Sequence, residues 1–540
     1  MTDFDVWNSI THSMVTLNDD VQLKAHGLEK TASYIIRKNG VYYEAIKGGT
    51  STGTGKIAYG GVDNADGTDG TDGSAVIQAA LDNLTAGRIH KEAVVCKDAL
   101  TLEDTVTVSA YTLLDLSQAK ILGGAGLTLY PFYINGISNV EVIGGLITGD
   151  GSSPTTAQNG VDYYDYTGIQ INNSTNIKVH HNSNIGCWGA VNVYNSSDVW
   201  VSDNYGYMCA GGWQSVADSA NIKNVHFIHN DAHEFGDDAI SFLAQGFTIS
   251  DFSACHNSVD AAVTIVAVND ATGTGVKATY TAVGGILYRG DISHNRFTNL
   301  GQSAIICNSM HDTTISHNNI YNVGQTSATQ KQAVLLGVAT TNPCTNLKVC
   351  DNFIDTSEGN GITAESVTDS RFIGNTIENM SAGVNGALYF WGSEDNHITG
   401  NTIRNNTGNG ILFGVGNGYN TLIGNKLYSN TLYGVNLGGF DYNRLIGNDF
   451  QGNGSGSFTG GAANDYYSAN RGYVTEAWGT VNGTTPIAVT FAPAMKSTPT
   501  IIIITSNEEI HSGWNTATAN GFNLTFTAGG ARTFNYYCKN

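Results

Sequence analysis

The segments NVHFIHN at 224–230, TTISHNNI at 313–320, NHITGNTI at 396–403 and NRLIGNDF at 443–450 share one phrase: a short run of alternating apolar residues, then an asparagine. Along the chain in both directions, that asparagine returns as Asn182, Asn204, Asn230, Asn257, Asn295, Asn318, Asn352, Asn375, Asn401, Asn425 and Asn448. The steps between them are 22, 26, 27, 38, 23, 34, 23, 26, 24 and 23 residues. Three residues earlier stands Val179, Val201, Phe227, Ala254, Ile292, Ile315, Val349, Phe372, Ile398, Leu422 or Leu445, all large and apolar except the alanine. Self-similarity at a fixed period of this length marks a solenoid.

The repeated segments read as strands, being short, rich in Val, Ile and Phe, and bounded by Gly, Asn, Asp and Ser. A second strand follows in each coil, as in GAVNVYN, DDAISFL, AAVTIVA, QSAIICN, QAVLLGV, NGITAES, GALYFWG and NGILFGV. A recurring leucine template is absent, and no coil carries a helical period. Strands alone at about 23 residues per turn predict an all-β chain, a right-handed parallel β-helix whose coils stack about 4.8 Å apart. The repeated asparagine then points inward at a tight turn, its amide bonded to the asparagines above and below, which assigns it to architecture rather than catalysis. Cys187 and Cys209, each five residues after an asparagine, fall in adjacent coils as small buried side chains or a disulfide. The other six cysteines show no zinc-type pairing.

Composition bounds the function. The 66 glycines among 540 residues and 13% charged residues fit turn-rich β structure. A formal net charge of −21 argues against nucleic acid as a partner. No 18-residue apolar run exists, so no membrane insertion is expected. The first thirty residues lack the basic start and apolar core of a secretion signal. Synthesis in the cytoplasm followed by virion assembly and lysis reconciles that with a long acidic β-helix, which is usually an extracellular tool.

Four regions follow along the chain. Residues 1–60, with YIIRKNGVYYEAIKGGTSTGTG, read as a small N-terminal attachment module or a lead-in segment. Residues 61–455 form the β-helix, opened by a short helix capped by Ser74 with Ala75, Ile77, Ala80 and Leu81 on one face, covering the exposed end of the solenoid. Asp63, Asp66, Asp69 and Asp72 just before it read as turn caps, with calcium as the other reading, although the spacing is not that of an EF-hand loop. The 38- and 34-residue steps place loops at 268–284 and 324–342, and such loops often line binding faces. Residues 456–473 read as a linker. Residues 474–540, with PIAVTFAP, TPTIIIITSN, FNLTFTAG and RTFNYYCK, read as a C-terminal antiparallel β-sandwich. Its TIIIIT segment must be a core strand or an oligomer interface.

The segment GGVDNADGTDGTDGSAVIQAALDNL at 60–84, with the coils that follow it, resembles the opening of the pectate-lyase-like β-helix of bacteriophage tailspikes. The resemblance covers about residues 58–455. It implies a homotrimeric spike that joins the virion tail or baseplate through its N-terminus and meets a host surface polysaccharide, and it assigns trimerisation or glycan binding to the C-terminal β-sandwich. It does not specify the reaction, because the superfamily includes hydrolases, lyases, esterases and non-catalytic adhesins.

Cleaving a glycosidic bond requires flanking carboxylates, or a base beside a uronic acid α-carbon. The densest acidic cluster is NDAHEFGDDAISF, with Asp231, His233, Glu234, Asp237 and Asp238. GDDAI is similar to the GDD(C/A)I phrase of polygalacturonase-type glycosidases. Where those enzymes carry further motifs, this chain reads WQS at 213–215, DAA at 260–262 and YRG around Arg289. The asparagine period places Asp260 one coil after Asp238, so Asp237, Asp238 and Asp260 are the catalytic candidates; turn-capping is the plainer reading of the first two. Trp188, Trp213, His233, Glu234, Arg289 and Tyr389 are the substrate-binding candidates. Core filling is the alternative for the aromatics, and an exposed loop position for His233. Tyr163, Tyr164 and Tyr166 crowd the loop before the regular coils. No metal or other cofactor is expected. The sequence thus predicts a virion tailspike that binds and hydrolyses a host surface polysaccharide. The alternatives are a non-catalytic receptor-binding spike or adhesin, a polysaccharide lyase, which would want a basic residue near the carboxylates, and a purely structural filament.

Overall fold

A computed structural model describes residues 32–48, 57–62, 66–148, 167–260 and 273–471, apart from 125, 128, 210, 283, 326–330, 338–342, 382–384 and 463. It also gives the strands and pairings within 4–17 and 476–539. Tyr163, Tyr164, Tyr166, Asp63 and the segment AAVTIVA lie outside the described residues. The chain divides into two compact units, Met1–Thr368 and Asp369–Asn540.

In the first unit the coils wind through sheets of parallel strands, as a right-handed parallel β-helix requires. A representative coil passes from Thr175–His180 through a corner at Asn182 to Ser183–Ile185, both in the first sheet. It then crosses to Gly189–Tyr194 in the second sheet. From the coil of Ile222–Lys223 onward a short third sheet of six strands closes the section. The coils pair in parallel and in register, for example Val179 with Val201 and Val191 with Trp213. Side chains alternate along each strand, so one set forms a continuous apolar interior and the other faces outward. Ile169, Val191, Trp213, Ile240 and Val276 make one inward column of the second sheet, all buried.

The asparagine ladder has the expected form. Asn204 donates its backbone N–H and its Nδ2 to Asn230 Oδ1 at 3.0 Å each, and its Nδ2 also reaches Val179 O at 3.1 Å. The same three bonds recur at Asn230, Asn257 and Asn295. The amides of Asn204, Asn230, Asn257 and Asn295 are thereby satisfied, where an orphan would cost about 1–3 kcal/mol. The residue before each asparagine takes a positive φ, as in His229, His256, His294 and His317, and their imidazoles stack in a column 4.7–5.0 Å apart.

The solenoid begins earlier than residue 61. Tyr34–Asn39 and Tyr42–Lys47 form an antiparallel hairpin, and Tyr34 pairs in parallel with Val94, so the hairpin is built into the first sheet. Helix α1, Gly73–Asp82, buries Val76, Ile77, Ala80 and Leu81. Its N-cap is Asp72 rather than Ser74: the Asp72 carboxylate accepts from the backbone N–H groups of Ser74 and Ala75. Asp66 and Asp69 cap turns in the same way, accepting from Gly60, Thr68 and Thr71. Cys187 and Cys209 are buried free thiols in adjacent coils, hydrogen-bonded to each other. The two oversized steps are not loops throughout, because Val276–Ala282 and Val334–Leu336 are strands of the second sheet.

The second unit repeats the pattern. A ladder runs Asn375, Asn401, Asn425, Asn448, and continues to Asn470, whose Oδ1 accepts from Asn448. A parallel ladder links Asn406, Asn430 and Asn453. The described part of the expected linker at 456–473, residues 456–471 apart from 463, is therefore a coil: Tyr433 pairs with Gly456 and Arg444 with Tyr466, both parallel. Its glycines and serines hide a repeat whose ladder residue is still present. Beyond it, 476–539 carry two three-stranded antiparallel sheets. Ile501–Ser506 sits at an edge of one, paired with Arg532–Lys539. Among the described residues no helix is long and apolar enough to cross a membrane.

Candidate functional site

The outward face of the second sheet in the first unit changes character from coil to coil. In register, its outward column reads Gln170, Asn192, Gln214, Ser241 and Lys277. A neighbouring column includes Asn172 and Tyr194. At the upstream end a cleft of about 350 Å³ is lined by Leu129, Tyr130, Thr167, Gln170, Asn172, Trp188, Asn192 and Tyr194.

Asp237 and Asp238 stand at the entrance to Ile240–Gln245, on this sheet. Asp238 is largely enclosed, with a tenth of its side chain exposed, and Asp237 is open to solvent. Asp238 Oδ2 lies 3.0 Å from Lys277 Nζ and accepts from Ser241 Oγ at 3.3 Å. Burial, and then the charge of Asp237, push the Asp238 carboxyl up to about 6 against the pull of Lys277. Burial works against the Lys277 ammonium, yet Asp238 beside it holds its proton affinity above the usual lysine range. Two adjacent carboxylates in unlike environments, one enclosed and one solvated, are what separate an acid role from a base role.

Register ties this pair to the cleft. Gly189 pairs with Gly211, and Trp213 pairs with Ile240, so Gly211 lies opposite Asp238 and Trp188 is two coils before Asp237. Gly211 donates to Trp188 O, and Gly212 donates to Asp238 O. A Cβ at Gly211 would touch Trp188 O and Asp238 O, at 3.6 and 3.7 Å, in ordinary contact and without a clash.

The other expected residues are placed elsewhere. Asp260 pairs in register with His233, on the second limb of the first sheet, and not opposite Asp238. The position opposite Asp238 in the next coil is Thr274, because extra residues intervene between Asp260 and the strand that starts at Val276. Counting a fixed period across an irregular step produces that misalignment. Asp260 accepts from Asn299 Nδ2 at 3.1 Å. His233 Nε2 lies 3.0 Å from Asp231 Oδ1, and Asp231 raises the histidine's proton affinity despite partial burial. Glu234, at positive φ, is hydrogen-bonded with Tyr207. These form a separate cluster with Tyr205, whose ring is 5.7 Å from that of His233.

Trp213 is no groove residue: it points inward and is 1% exposed. Arg289 is held at a corner next to the third sheet by two bonds to Asp251, at 2.6 and 2.7 Å. Tyr389 faces outward as alternation with Leu388 and Phe390 predicts, but it belongs to the second unit, where its hydroxyl lies against Gly414. Sequence reasoning missed Lys277, Gln170, Asn192 and Tyr130. Lys277 sits in a segment read as a loop, and the amides resemble any turn residue until the register aligns them.

Among the described residues no group of three or more His, Cys, Asp and Glu side chains is placed to hold a metal ion. The family described as periplasmic copper-binding protein (NosD) matches residues 384–483. That segment contains one histidine, His397, and neither cysteine nor methionine, so its donors do not fit a copper site. No curated protein matches the chain. Phage tailspikes recur among the similar solved structures. Tailspike protein 3 of bacteriophage CBA120 is 12% identical with TM-score 0.44, covering 85% of this chain and 69% of that one. A mutant tailspike of E. coli bacteriophage HK620 in complex with a pentasaccharide is 11% identical with TM-score 0.43, covering 99% and 97%. The mannuronan C-5 epimerase A-module of Azotobacter vinelandii is 13% identical with TM-score 0.35, covering 74% and 95%.

Proposed function

We propose that this protein is a virion tailspike that binds a host surface polysaccharide along the outward face of the second sheet in the first unit, and hydrolyses it there. The observation that carries the reading is the Asp237–Asp238 pair, set in register with Trp188 at the end of an aromatic- and amide-lined cleft. Asp238, with its raised proton affinity, donates a proton to the glycosidic oxygen as the C–O bond breaks. Asp237 takes a proton from the water that attacks the anomeric carbon. Lys277 and Ser241 hold Asp238 in place. Attachment to the tail through the N-terminus and assembly as a homotrimer complete the proposal, and light scattering on the purified chain tests the trimer.

Lys277 favours a second reading, β-elimination from a uronic acid, since a cation beside the carboxylates could neutralise the sugar carboxylate. Mass spectrometry of the products from host capsular or cell-wall glycans decides between them. Hydrolysis adds one water per cleavage and gives saturated ends, elimination gives unsaturated ends, and intact glycan after long incubation leaves only binding.

A further inference from the structure

Resting on that glycan-binding reading, the cleft next to the carboxylates carries information about the sugar it takes. Its side chains are already tied together. Gln170 Nε2 donates to Asn172 Oδ1 at 2.6 Å, and Asn172 Nδ2 donates to Tyr133 OH at 3.2 Å. Asn192 Nδ2 donates to Thr167 Oγ1 at 3.0 Å. These bonds orient the amides and leave the carbonyl oxygens of Gln170 and Asn192 as acceptors and the second N–H of each side-chain amide as a donor. Among the described residues, no lysine or arginine lines the cleft.

A carboxylate brought into this lining would find neutral donors only and no cation to offset its desolvation, which is costly. Hydroxyl and N-acetyl groups, which both donate and accept, match such neutral amides. Trp188, Tyr130 and Tyr194 supply the apolar faces on which pyranose rings stack. The charge of the chain acts in the same direction, since its excess of carboxylates repels an anionic polymer at longer range. Lys277, on the same face, lies two coils past Gly211 and three past Trp188, and it is already engaged by Asp238.

We infer that this cleft is a subsite for an uncharged, hydroxyl-rich sugar residue of the glycan, stacked on Trp188, with the bond to be cleaved lying past Gly211 toward Asp237 and Asp238. Two coil spacings, about 10 Å, separate the tryptophan from the carboxylates along the axis.

The test uses the full chain carrying Asp238→Asn, so that bound glycans are not consumed, on an array of neutral oligosaccharides and of oligosaccharides bearing uronate or sialate at every residue. Neutral glycans are expected to be retained and the fully acidic ones not. Adding Trp188→Ala weakens retention at least about tenfold, the loss of one stacked ring, while Trp188→Phe restores most of it, and circular dichroism and the melting temperature stay as in the parent. Retention of the fully acidic glycans, no retention of any neutral glycan, or unchanged retention in Trp188→Ala overturns the inference. Neutral-glycan retention that depends on Trp188, together with wild-type protein that cleaves none of the retained glycans, leaves the subsite standing and removes the hydrolytic reading instead.

Discussion

The corner that carries the asparagine ladder and the outward face of the second sheet are built by the same coils, yet they obey opposite rules. At the corner the residue type is nearly constant, because each Asn must accept from the coil before it and donate to the coil after it. On the outward face the column runs Gln170, Asn192, Gln214, Ser241, Lys277, with a different chemistry at almost every step. Repetition reports what holds the coils together. On the outward face solvent accepts many residue types, and that freedom leaves room for the proposed site.

The contrast is tested most severely at the ladder. Asn257→Ala removes four buried hydrogen bonds, to Asn230, Phe227 and Asn295, and should cost about 3–5 kcal/mol, read as a lower urea midpoint by circular dichroism. Activity per folded molecule should be unchanged. On the outward face the pattern reverses: Asp238→Asn should lower glycan cleavage by about 100-fold or more with little change in the midpoint. A ladder variant that unfolds nothing, or an Asp238 variant that unfolds the chain, would erase the division.

Dependence on pH probes the outward face alone. In the proposed role Asp238 must be protonated to act as the acid, so cleavage should decline as pH rises through about 6. Lys277 lowers the proton affinity of Asp238, so Lys277→Met should move that limb upward by about one unit. A limb that stays in place would separate Lys277 from the acid. Trp213→Phe should cost about 1–2 kcal/mol of stability and leave glycan retention intact, since the ring lies inside the solenoid. The smallest effect is expected from Asp260→Asn, which should leave the cleavage rate unchanged because that carboxylate is in register with His233.

The architecture is legible because a buried ladder tolerates one residue type and so leaves a period in the sequence. The same period hides its own exceptions. Asn470, 22 residues after Asn448, follows Tyr467 where the other coils carry an aliphatic residue or phenylalanine, so the repeat read from sequence stops one coil early. Only part of the site can be read in advance. Asp237, Asp238 and Trp188 stand out as residue types, but Trp213 and Trp188 differ only in which side of the chain they occupy, and that parity depends on where the strand begins. Asp260 falls out of place because the step that follows it is irregular, and Lys277 escapes notice because its strand starts later than the period predicts. Arg289 reads as available in the sequence, whereas a bidentate pair with Asp251 engages it.

Catalysis at Asp238 is decided by product release from a host surface polysaccharide, measured for the wild-type protein and for Asp238→Asn at matched folded concentration. The raised proton affinity of Asp238 places the assay at a pH just below about 6. Hydrolysis at this carboxyl predicts saturated oligosaccharides from the wild type and at least about 100-fold less from the variant. Equal product from both proteins would remove Asp238 from the chemistry.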